Sequence, residues 1–101
     1  MELISQVLFE LPPEEQKLVC KGITTLVKSR MLELQKNLNV AEEKNKQFLK
    51  KYGTNFDNFT KNFPEHADME KHEDLIEWEF WYESEKQYRR IIDKYRHMAG
   101  R

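Results

Sequence analysis

Between residues 20 and 52 the chain sets Cys20, Thr24, Val27, Met31, Leu34, Leu38, Ala41, Asn45, Phe48 and Tyr52 at alternating steps of four and three. Apolar residues at that spacing form one continuous stripe on a long α-helix. The flanks mark its ends. Pro12-Pro13 disfavours helical geometry in the residue before it and fits the first helical position, and Glu14 and Glu15 suit the positive end of the helix dipole. Lys50 and Lys51 suit the negative end, and Gly53 is a natural C-cap. The predicted helix covers residues 13–52 and spans ~60 Å at the usual rise. A seam that long demands a second long helix or a second subunit along it. Leu18, Val19, Ile23 and Leu26 widen the apolar surface at its N-terminal end. Gly22 weakens that end by about 1 kcal/mol relative to alanine. In a homodimer, Asn45 would fix register as a polar seam residue, and Cys20 reads as a packing residue of the seam.

Three further helices are expected. Leu3, Ile4, Val7, Leu8 and Leu11 recur at helical spacing and place a short helix over 2–10. Thr54 as N-cap, with Asp57 three residues on, opens a helix over 55–63 whose face carries Phe56, Phe59 and Phe63, and Pro64 closes it. The last helix should run over 68–97. At 100° per residue from Leu75, Trp81, Tyr88, Ile91, Ile92 and Tyr95 fall between about 160° and 260° and should pack on the long helix. Leu75, Trp78 and Tyr82 fall on a neighbouring face, and Ile76 and Phe80 on a third. The stretch 75–82 is therefore apolar almost all round. Three glycines and three prolines are too few turn signals for an all-β chain. The expected fold is all-α: a single domain over 1–101, built as a long, coiled-coil-like antiparallel helical hairpin with short accessory helices, whose seam a second copy could share.

Charge narrows the function. The net charge of −1 argues against a protein coated for nucleic acid. Its distribution is uneven: residues 17–51 sum to +6, residues 65–79 to −6 and residues 83–101 to +3. Such blocks can pair internally or meet an outside partner. One cysteine excludes an internal disulfide and fits a reducing compartment. With no long apolar run and no secretory signal in the first residues, the expected setting is the cytoplasm, without membrane contact.

The strongest functional candidate is the acidic, aromatic stretch Glu73, Asp74, Glu77, Trp78, Phe80, Trp81 and Tyr82. Aromatic residues at helical spacing usually form core. They also anchor interfaces, and interleaved acids complement a basic partner. His66, Asp68, Glu70, His72, Glu73 and Asp74 are metal-ligand types, but their spacing matches no helical metal site, and no metal or other cofactor is expected. Arg90 and His97 are spaced like the pair of a class of small helical ribonucleases, where histidine does acid–base work and arginine steadies a phosphate. A basic last turn completing the helix dipole is the plainer account, and no catalysis is expected of the pair. The strip Lys44, Lys46, Lys50 and Lys51 reads as a solvated face, since no nucleic-acid-binding motif accompanies it.

Leu11-Pro12-Pro13-Glu14-Glu15 entering a long helix resembles the Leu-Pro-x-Glu start of several small prokaryotic antitoxins. Phe48 to Gly53, Phe56-Asp57-Asn58-Phe59 and His72 to Glu79 are similar to small helical proteins encoded beside toxin genes. The resemblance spans roughly residues 11–82. It implies a non-enzymatic protein that binds and neutralises a cognate toxin, often an RNA-cleaving enzyme. This sequence departs from better-known antitoxins in showing no recognisable DNA-binding module, which puts operator binding and autoregulation in doubt. Two other readings are a small ribonuclease using Arg90 and His97, and a structural subunit acting by self-association.

Overall fold

Pro13 and Gly53 bound the longest element of the computed structural model, which describes residues 7–99. Helix α1 spans Pro13–Tyr52, 40 residues, as its flanking signals dictate. Gly53 adopts φ 66°, and its N–H donates to the Leu49 carbonyl at 2.8 Å, closing the helix with a left-handed cap. At the other end Gln16 N–H donates to the Pro12 carbonyl at 3.0 Å, and its side-chain Nε2 donates to the Leu11 carbonyl at 2.8 Å. These two bonds tie the entering chain to the first turn. Residues 7–10 are helical. The rest of the helix expected over 2–10 lies outside the described residues.

Helix α2 is a single short piece, Phe56–Lys61. Its N-cap is Asn55, whose side chain accepts from the Asn58 N–H at 2.8 Å, rather than Thr54 as the sequence suggested. Asparagine one residue later supplies the same acceptor, and the helix shifts with it. Helix α3 covers Met69–Ala99, 31 residues. Asp68 starts it by accepting from the Lys71 N–H at 2.9 Å.

α3 folds back along α1, with α2 wedged at the turn, and no strand occurs among the described residues. This is the expected all-α hairpin. Two core clusters hold it. Near the open end, Leu34, Leu38 and Ile92 are buried, with Met31, Tyr88, Ile91 and Tyr95 packed around them. At the turn, Phe48, Phe59 and Trp78 are buried under Tyr52, Phe56, Phe63, Leu75 and Trp81. Ala41 is also buried, and its small side chain lets the helices approach between the clusters.

Asn45, the polar residue of the seam, finds partners within one chain. Its Nδ2 donates to the Trp81 carbonyl at 3.1 Å and to Glu85 Oε1 at 2.9 Å, within one chain. Glu85 in turn accepts from Arg89, which also pairs with Glu42 at 3.3 Å. This polar ladder fixes how α3 slides along α1.

Cover on the seam is incomplete. α1 exceeds α3 by nine residues, ~14 Å of helix. Cys20 and Thr24 are exposed and Val27 is half-buried, so the packing role expected of Cys20 is not met in this chain. The molecule is a rod of 67 × 22 × 21 Å with one bare helical end.

Candidate protein-binding face

α3 presents its third face outward at residues 73–84. Ile76 is 70% exposed and Phe80 59%, one turn apart on the same side. Phe80 meets the half-buried Trp81 ring edge-on, centroids 4.9 Å apart. Lys44 of α1, Glu73 and Glu77 complete a shallow groove around Ile76, Phe80 and Trp81. Glu79, Glu83, Ser84 and Gln87 continue the surface past Phe80. The result is an apolar strip with four glutamates and one lysine at its margins. Ile76 and Phe80 thus leave two large apolar side chains side by side in water.

The sequence candidates divide on burial. Glu73, Glu77 and Phe80 are exposed, and Trp81 supplies a half-buried floor. Trp78 is 2% exposed and belongs to the core, so its expected partner contact is corrected. It stacks on Phe48 at 5.5 Å and lies 5.0 Å from Phe59 and 5.5 Å from Phe56, centroid to centroid. Its neighbouring face is covered because the Gly53 turn brings Phe56 and Phe59 of α2 against it, opposite Phe48 of α1.

Asp74 and Tyr82 are also committed internally. Asp74 accepts from Lys51 Nζ at 2.6 Å and from the Tyr52 hydroxyl, and Lys51 bridges on to Glu70 at 2.7 Å. Burial alone would raise the Asp74 pKa, but the hydrogen bonds from Lys51 and Tyr52 outweigh it and hold the carboxyl below its ordinary value. Burial, then the bond to Asp74, pushes the Tyr52 phenol up to about 12. Hydrogen bonds to Asp74 and Glu70 raise the Lys51 ammonium as well. Tyr82 stacks on Phe56 at 4.6 Å, and Lys86 Nζ lies 4.2 Å over its ring. Tyr82 therefore braces α2 against α3 on the side away from the Ile76–Phe80 strip. Ile76, Glu79 and Glu83 are face residues that sequence reasoning left off its candidate set, although Ile76 shared its third face with Phe80.

The other constellations stay apart. Among the described residues, no three His, Cys, Asp or Glu side chains come together as a metal site. His72 packs edge-on against Phe63, ring centroids 5.1 Å apart. Arg90 and His97 are both exposed, and neither takes part in a side-chain hydrogen bond or ion pair among the described residues. The basic strip is divided, with Lys51 drawn into the Asp74 cluster and Lys44 beside the apolar strip. No described helix is long and apolar enough to cross a membrane. No protein-family model, curated protein or solved structure matches the chain.

Proposed function

We propose that this protein is a non-catalytic helical module that grips a basic protein partner through the Ile76–Phe80 strip of α3. One observation carries the reading. Ile76 and Phe80 are exposed side by side within a glutamate margin, on a helix otherwise anchored by buried Trp78 and Ile92. Apolar anchors supply the area, and the acids favour a basic surface and speed encounter with it. The strip rides on a rigid two-helix scaffold, so little ordering is needed at binding.

The resemblance to antitoxins gives the partner its most specific form: the basic RNA-cleaving toxin of a neighbouring gene, neutralised in the cytoplasm of a prokaryote. The test is co-expression with the adjacent open reading frame, reading growth and co-purification. The reading expects a toxic neighbour whose growth defect is relieved and whose product co-purifies. Phe80→Asp should abolish both effects while leaving helicity intact. A harmless neighbour would remove the antitoxin form, and full rescue by Phe80→Asp would remove the strip as the grip.

A further inference from the structure

The N-terminal end of α1 carries an apolar stripe that no other described helix covers. Leu18 is 63% exposed and Leu26 71%, with Val19 and Ile23 also exposed, and among the described residues none of them has a partner helix. At 100° per residue, Glu15, Val19, Gly22, Ile23, Leu26 and Arg30 fall within about 100° of arc. Lys17, Lys21 and Lys28 fall on the opposite side. The stripe therefore has an acid at one end, a base at the other and apolar residues between.

A stripe with that pattern is self-complementary only when reversed. In a parallel pairing, Glu15 would face Glu15 and Arg30 would face Arg30. In an antiparallel pairing with the two-fold axis between Gly22 and Ile23, Glu15 of each copy lies opposite Arg30 of the other. Val19 then lies opposite Leu26, and Gly22 opposite Ile23. Gly22 has nothing within 4 Å of where a Cβ would sit, so it offers an open notch for the branched Ile23 side chain. Arg30 already holds Glu33 at 3.2 Å, and Glu15 of the second copy would be its second acid.

We infer that residues 13–30 of α1 form a reciprocal, antiparallel two-fold contact between two copies of this chain. Two stripes ~27 Å long and ~10 Å wide bury on the order of 600 Å². That lies below the ~1,000 Å² of a stable specific interface, which fits a weak, transient pairing. A weak, reversible dimer that forms at high protein concentration is expected, not an obligate one. It leaves the Ile76–Phe80 strip free, so it does not rest on the function proposed above.

The test is sedimentation of the full chain over a concentration series, with small-angle scattering at the high end. A dimer with a maximum dimension of about 100 Å is expected from the helix overlap, against 67 Å for one copy. Leu26→Asp should remove it. Glu15→Arg alone and Arg30→Glu alone should each weaken it at least tenfold, since each places two like-charge pairs across the axis. The double variant should restore it. All these positions are exposed, so helicity should hold throughout. A monomer at several hundred micromolar, a dimer indifferent to Leu26→Asp, or a double variant no better than either single one would overturn the inference.

Discussion

Trp78 and Phe80 stand two positions apart on one helix and meet opposite surroundings. Trp78 lies against Phe48, Phe56 and Phe59, whereas Phe80 faces water beside Ile76. Trp78→Ala should destabilise the fold by about 3–5 kcal/mol, because it empties the cluster at the turn. Phe80→Ala should stay within about 0.5 kcal/mol of wild type, as surface changes do. Thermal melts of both variants check the contrast, and similar losses would mean that the face is misassigned. The sequence placed both residues in an apolar stretch and could not separate them. Helical spacing gave three apolar faces, and only the Gly53 turn, by bringing α2 beside Trp78, decided which was covered. Asp74 was hidden in the same way: nothing in its spacing to Lys51 and Tyr52 shows that they meet. Its pKa is lowered on folding, so its contribution is present above about 3.9 and is lost as pH falls through the folded value. Tyr52 and Lys51 are raised, so their contribution is whole below about 10 and is lost as pH rises further. Asp74→Asn should cost about 1–2 kcal/mol at neutral pH. The gap in melting temperature from wild type should narrow below pH ~4 and above pH ~10. A gap constant across that range would contradict the assignment.

At the scale of elements, α1 was the most legible part. Its bounds follow from Pro13 and Gly53, two residues with local and strong preferences. Gly53 takes φ 66° with open space around it, so Gly53→Ala should cost about 1 kcal/mol, from backbone strain alone. Chemical denaturation measures this directly, and an unchanged midpoint would mean that the left-handed cap is dispensable. α2 shifted because Thr54 and Asn55 are both competent caps, and the packing of Phe56 and Phe59 on Trp78 chose between them. Asn45 misled for a related reason. A polar residue in a seam looks the same whether it meets a second chain or, as here, the backbone of α3.

For the molecule as a whole, shape is the main finding. A radius of gyration of 20.6 Å far exceeds the ~13 Å of a compact chain of this size. The cause is the long seam, covered from Val27 to Tyr52 and exposed at Cys20 and Thr24 among the described residues. Such a rod offers much surface on which to meet other chains, which supports the recognition role proposed above. The acidic block over 65–79 is only partly spent on the Lys51 pairs; Glu73, Glu77 and Glu79 remain outward beside Ile76 and Phe80. The most direct check is to co-purify the neighbouring gene's product with the wild-type chain and with Phe80→Asp, confirming equal helicity of the two. Retention by wild type and loss by Phe80→Asp is the expected result. Equal retention by both would contradict the claim that this strip is where the protein binds.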